Sequence, residues 1–283
     1  MSYTDQSRRN FLAIAAAAPT ALALGGAAVA QETALEADAL RGSGKSAIIT
    51  GSSRGIGAAT ARRLAREGYA VTVNYLTNHD LAAAVVRDIE EAGGRAIFRQ
   101  ADVADPTAVR ALFDANDEAF GGVDVVVSNA GIMNVGPFAA MEDEAFDRMM
   151  ATNVKGSFNV LREASRRVRE GGRIITLCSS IILSKPAFTA PYAASKAAQE
   201  IYASTLAKEL GGRNISVNSV APGAVDTQLL RQHGEAVLAG IPEATPLRRL
   251  GEPEDIANVI AALCSQDGAW INGHNIFANG GLS

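Results

Sequence analysis

The chain has little that could staple it together or hold a metal. Only two of its 283 residues are cysteines, Cys178 and Cys264, and a fold built on disulfides needs a denser framework. Histidine is nearly as scarce. His79, His233 and His274 lie far apart in sequence, so no His/Cys pattern has zinc-ligand spacing and no metal is expected. Excess positive charge is also missing. Lys and Arg number 26 against 30 Asp and Glu, a formal net charge of −4, and a nucleic-acid footprint would need a clustered basic face. Internal repeats and a second domain are not evident. What is present is apolar mass: 48% of the residues are hydrophobic, enough for one large core of an α/β domain.

The first thirty residues read as a targeting segment. Ser7-Arg8-Arg9-Asn10-Phe11-Leu12 is a twin-arginine sequence, followed by an alanine-rich run that ends Ala28-Val29-Ala30. That small-x-small ending fits cleavage before Gln31. The run is about long enough to span a bilayer. Its alanines, with Pro19, Gly25 and Gly26 inside, make it a poor permanent anchor. The expected organisation is a signal at 1–30, a linker at 31–44 and one domain at 45–283. Periplasmic export follows, with cytoplasmic location as the alternative and no stable membrane association once the signal is removed.

From Lys45 onward strand and helix patterns alternate. Ala47–Thr50, Ala70–Tyr75, Ala96–Gln100, Val123–Ser128, Arg173–Cys178, Ser216–Val220 and Asn275–Ala278 read as strands. They are short apolar runs of the kind buried in parallel sheets. Between them, Ile56–Glu67, Asp80–Ala92, Pro106–Phe120, Asp143–Val168, Tyr192–Leu210 and Pro253–Cys264 read as helices. This order predicts right-handed βαβ units. The fold class is α/β: a single Rossmann-type, doubly wound parallel sheet with helices on both faces.

Thr50-Gly51-Ser52-Ser53-Arg54-Gly55-Ile56-Gly57 joins the first strand to the first helix. Gly51 suits the tight turn, Gly55 lets backbone approach a pyrophosphate, and Gly57 allows close helix–sheet packing. Further on come Ala101-Asp102-Val103, Asn129-Ala130-Gly131, Asn153, Ser179, Tyr192-Ala193-Ala194-Ser195-Lys196 and Pro222-Gly223. In that order the series resembles the short-chain dehydrogenase/reductase family in its compact form, and its 3-oxoacyl-carrier-protein reductase-like members in particular. Ser128 departs from it, where the family usually has a second asparagine. The resemblance implies that Asp102, with Val103 beside it, meets the adenine ring. It places Asn129, Ala130 and Gly131 along the cofactor channel. It also implies that Pro222, Gly223, Val225 and Thr227 hold the nicotinamide carboxamide, that Lys196 bonds the nicotinamide ribose, and that Asn153 completes a water-linked proton path.

The cofactor expected is NADP rather than NAD. An NAD site usually presents an acid about 20 residues after the glycine turn, but the second strand ends Val73-Asn74-Tyr75 and no acid follows before Asp80. Asn74 does not repel a 2′-phosphate, and Arg54, with Ser53 beside it, can offer that phosphate a guanidinium fork. Tyr192 and Lys196, four apart on a helix, share a face. A phenol of pKa ~10 is a poor base, and a cation held beside it is expected to lower that value. Ser179 would hold the substrate oxygen against the phenol. Met133, Phe138, Ile181, Leu183, Phe188, Leu229 and Leu230 are candidate pocket residues and point to an apolar or small ketone.

Ser179 lacks the flanking glycines of a hydrolase elbow, and Cys178 has no activating base in view. An oxidative alcohol or sugar dehydrogenase, or a cofactor-binding sensor without catalysis, remain the competing readings. The sensor would typically lack the tyrosine or the lysine. An exported enzyme would not meet a cytoplasmic acyl carrier protein. The family also implies a homodimer or homotetramer.

Overall fold

The computed structural model describes residues 40–232, 234 and 238–282. The twin-arginine sequence, the alanine-rich run, most of the linker and His233 lie outside the described residues. Arg41–Ser283 form one compact unit. The chain packs onto it ahead of Lys45: Gly42 N donates to Glu67 O at 2.7 Å, and Lys45 N to Gly42 O at 2.9 Å.

Seven parallel strands form the sheet, in the order β3-β2-β1-β4-β5-β6-β7. They are β1 Ser46–Ile49, β2 Ala70–Tyr75, β3 Ala96–Gln100, β4 Val123–Ser128, β5 Val168–Leu177, β6 Ser216–Pro222 and β7 Asn275–Ala278. The main helices are α1 Gly55–Arg66, α2 His79–Glu91, α3 Pro106–Phe120, α4 Asp143–Met150, α5 Ser157–Arg167, α6 Ala190–Leu210 and α7 Pro253–Cys264.

The strands read as continuous apolar runs because both faces are covered. Ala47 and Ile49 of β1 and Val125 and Val127 of β4 point into one core, with Leu64 of α1, Ile89 of α2 and Ile260 of α7. Ile48 and Val126, one residue out of phase, point into the other, with Leu112 of α3, Leu161 of α5 and Ala207 of α6. This is the period-2 alternation of strand side chains.

The strand order reverses between β1 and β4. In an open parallel sheet, the crevice beyond the carboxyl ends of the strands at that point is where ligands bind. The turn after β1 and the Asn129-Ala130-Gly131 turn after β4 flank it.

The architecture is the one predicted, and two local features differ. The single helix expected over Asp143–Val168 is interrupted by a wide turn at Ala151–Gly156, between α4 and α5. Such one-turn expansions recur at functional sites. β5 begins at Val168 rather than Arg173, with a register shift against β4 between Val123 and Val125.

Candidate active site

The glycine turn is braced by side chains from the neighbouring strands. Gly51 N donates to Asn74 Oδ1 at 3.0 Å, Ser52 N to Asn74 O at 2.8 Å, and Asn74 Nδ2 to Ala101 O at 3.0 Å. Asn74 therefore ties the ends of β1, β2 and β3 together, and its amide is spent on backbone. Asn129 does the same from β4: its Nδ2 donates to Thr50 O at 2.8 Å and to Gly51 O at 3.1 Å. Two glycines are irreplaceable on geometry. A Cβ on Gly51 (φ +62°) would lie 2.9 Å from Ala130 Cα, and one on Gly57 would lie 2.6 Å from Gly51 O. The backbone N–H groups opening α1 carry no side-chain cap and no acid, which suits them to an anion.

This turn lines one end of a cleft of about 330 Å³, with Ser53, Arg54, Gly55, Ile56, Asn74, Asp102, Val103, Asn129, Ala130, Gly131 and Thr227 among its walls. One oxygen of Asp102 also caps the turn at Ala104 N, 2.8 Å away. The cleft continues into a second space of about 360 Å³ walled by Gly131, Ser179, Tyr192, Lys196, Pro222, Gly223, Val225 and Thr227. The two share Ile56, Asn129, Gly131, Ile132, Thr227 and Leu229, so one groove runs from the glycine turn to the Tyr–Lys face of α6.

Ser179 follows β5, where Cys178 N donates to Val220 O and Ser180 N to Pro222 O, both at 2.9 Å. Its hydroxyl faces the same groove as the Tyr192 phenol and favours the phenolate. Lys196 Nζ donates to Leu177 O at 2.7 Å and lies 5.9 Å from the centroid of the Tyr192 ring. Burial pulls Lys196 down from its ordinary value to about 8. Burial raises the Tyr192 phenol above its ordinary value of 10, and the Ser179 hydroxyl offsets only part of this. The expectation that a neighbouring cation lowers the phenol is therefore corrected for the protein alone. Lys196 is itself desolvated and stands off the ring, so burial wins.

Asn153 sits in the wide turn and is fully buried. Its side chain accepts from Ile132 N at 2.9 Å and donates to Ile132 O at 2.8 Å and Ser195 Oγ at 3.0 Å. It clamps the loop after β4 to α6. Its main-chain carbonyl accepts from Gln199 Nε2 at 2.8 Å.

A family model described as "Enoyl-(Acyl carrier protein) reductase" matches residues 51–283. A short-chain dehydrogenase/reductase of Pestalotiopsis microspora is 39% identical over 255 residues, covering 84% of this chain and 95% of its own. The chain is a short-chain dehydrogenase/reductase. A short-chain dehydrogenase of Burkholderia cenocepacia solved with NADP shares 40% identity, with a TM-score of 0.82 over 86% of this chain and 99% of that one. The angucycline C-6 ketoreductase LanV, solved with bound NADP, shares 38% identity, with a TM-score of 0.82 over 86% of this chain and 96% of that one.

The substrate side of this dehydrogenase/reductase departs from the sequence reading in part. Met133, Ile181, Leu229 and Leu230 line the groove as expected, joined by Ile241 and Leu282, which sequence reasoning missed. Phe138, Leu183 and Phe188 are not among its walls and are exposed. Their loops pass the groove, but the side chains point to solvent. Among the described residues no cluster could hold a metal ion, and no helix is long and apolar enough to cross a membrane.

Proposed function

We propose that the enzyme moves hydride between NADP(H) and a carbonyl/alcohol pair, with Ser179, Tyr192 and Lys196 at the reacting centre. The observation that carries this reading is the single groove joining the glycine turn to those three side chains. The donor set fits the cofactor. Uncapped N–H groups at α1 suit a pyrophosphate, and glycine at 131 leaves the channel open, since a Cβ there would come within 3.4 Å of Lys196 Nζ. The bound nicotinamide would supply or accept the hydride. Ser179 and Tyr192 then hold the substrate oxygen, and the phenol gives it a proton or takes one. Lys196 orients the ribose. A phenol kept protonated by burial is the form that donates to the substrate oxygen in the reductive direction.

The 2′-phosphate choice is supported by charge. Among the described residues, Arg54 and Asp102 are the only charged ones lining the glycine-turn end of the groove, and Asp102 is the residue assigned to the adenine. Among the described residues the substrate walls are apolar apart from the reacting groups, the Cys178 thiol, the hydroxyls of Ser180, Ser184 and Thr227 and the amide of Asn129, which favours an uncharged, largely apolar ketone. The test is a carbonyl panel of aliphatic ketones, flat aromatic ketones and sugars, followed by NADPH absorbance. Reduction of apolar ketones is expected. Oxidation of sugars with NAD and no reduction of any ketone would overturn the reading.

Two further proposals concern the whole molecule. Phe146, Phe158 and Ile201, on α4, α5 and α6, are 40%, 46% and 61% exposed, an apolar set consistent with a homodimer or homotetramer. A monomer mass by light scattering at micromolar concentration would count against that. The twin-arginine sequence supports export to the periplasm. Full-length protein confined to the cytoplasm, unaffected by replacing Arg8 and Arg9, would remove that reading.

A further inference from the structure

The helix face that carries Tyr192 and Lys196 continues one turn further to Gln199. This residue is fully buried. Its Nε2 donates to the main-chain carbonyl of Asn153 at 2.8 Å and to Ser157 Oγ at 2.7 Å, and its Oε1 accepts from Lys196 Nζ at 3.0 Å. The amide orientation follows from chemistry: the Asn153 carbonyl can only accept, and the ammonium can only donate. Leu177 O takes a second ammonium proton. A third remains to face the groove at Gly131.

We propose that Gln199 is a positioning residue, whose amide links Lys196 to the Asn153 turn, fixes the direction of Nζ and sustains its charge with a neutral dipole. The inference rests on Lys196 belonging to the reacting centre. The charged and titratable groups facing Lys196 are Cys178 at the end of β5 and the Tyr192 phenol on its own helix. The β4 loop presents Gly131 to it and, through Gln199, the wide turn and α5 present Asn153 and Ser157, all uncharged. Among the described residues no carboxylate is paired with Nζ. With burial already drawing Lys196 down to about 8, one dipole more or less changes the fraction charged at neutral pH.

The experiment titrates the full chain, free of cofactor and substrate, with 13C-labelled lysine side chains. Lys45, Lys155, Lys185 and Lys208 give the other signals, and Lys196→Met assigns the one of interest. Gln199→Leu is expected to lower the Lys196 midpoint by about one unit, and Gln199→Glu to raise it by at least about one, since an opposite charge at contact favours the ammonium. Opposite shifts from the two variants are not what a purely structural role produces. In turnover, the alkaline limb of kcat should move the same two ways, and Gln199→Leu should lower kcat about tenfold with the ketone KM within about twofold. If Gln199→Leu fails to fold, Gln199→Glu, nearly isosteric, still decides. A Lys196 midpoint unchanged in Gln199→Glu overturns the proposal. Because the titration does not depend on turnover, its failure is separable from failure of the Ser–Tyr–Lys reading, which a Tyr192→Phe variant of undiminished rate would expose.

Discussion

Tyr192→Phe is expected to lower kcat by about 10²- to 10⁴-fold, the range for loss of a positioned acid/base, while NADPH affinity stays within about twofold. The substitution removes only the hydroxyl. The ring keeps its buried place and its approach to Lys196, 5.9 Å from Nζ to the centroid. Ser179 still accepts from Ile181 N at 3.3 Å, so the fold should be nearly unaffected. The proton at stake is firmly held, because burial raises the phenol above 10. The phenol therefore does not set the alkaline limit of reduction; Lys196, drawn down to about 8, titrates first and sets it. Steady-state rates with a reducible ketone, beside fluorescence titration with NADPH, make the check. A variant with near wild-type kcat would mean that another group protonates the substrate oxygen. A parallel collapse of cofactor affinity would mean that the hydroxyl binds rather than reacts.

Most of this fold was legible because a parallel sheet covered on both faces writes itself into the chain as short apolar runs separated by helical ones. Val71 and Val73 of β2, or Ile174 and Ile175 of β5, are fully buried, as continuous hydrophobicity implies. The wide turn at Ala151–Gly156 was not legible. It changes the helical period over a single turn, and the apolar spacing on either side reads as one helix. The start of β5 was hidden for a related reason. Glu170, Gly171 and Gly172 look like a loop, yet Val168 pairs with Val123 across the shift.

In the site, the order of motifs along the chain brings the candidate residues to one groove, while the contacts of individual side chains are not written in that order. Asn74 was read for what it does not repel. The structure makes it a brace for the glycine turn. Gln199 carried no motif, although its spacing from Tyr192 and Lys196 puts all three on one helix face. A glutamine in an otherwise small-residue helix gives no sign of burial, since glutamine is mostly exposed. Residue type and place in the connections after the strands point Phe138, Leu183 and Phe188 to the pocket, and the structure turns all three to solvent. Which way a loop side chain points depends on backbone that composition does not specify: Phe188 is 62% exposed and sits at φ +70°.

Arg54→Ala is expected to lower kcat/KM with NADPH by about 5- to 150-fold, the equivalent of about 1–3 kcal/mol for a lost charge-assisted contact, and to leave NADH within about twofold. The argument begins with what surrounds this arginine. It lies at the N-cap of α1 with extended backbone and is exposed. Its Nη1 donates to Gln228 Oε1 at 2.6 Å, a neutral partner, so turning toward a phosphate would break no ion pair. Across the groove the chain after β2 offers Leu76, Thr77 and Asn78, none of which repels an anion. Asp102 is the nearest acid in the lining, and a carboxylate held to the Ala104 turn cannot migrate toward the ribose. Among the described residues the guanidinium is thus the one positive charge lining this end of the groove, and selectivity for the phosphorylated cofactor has no comparable second source among them. Because the site is open to solvent, salt should weaken the NADPH preference in the wild type and leave it unchanged in the variant. Equal losses with both cofactors would show Arg54 acting on the pyrophosphate or on the glycine turn itself. An Arg54→Lys variant then separates charge from shape, since lysine retains the charge but cannot form the fork.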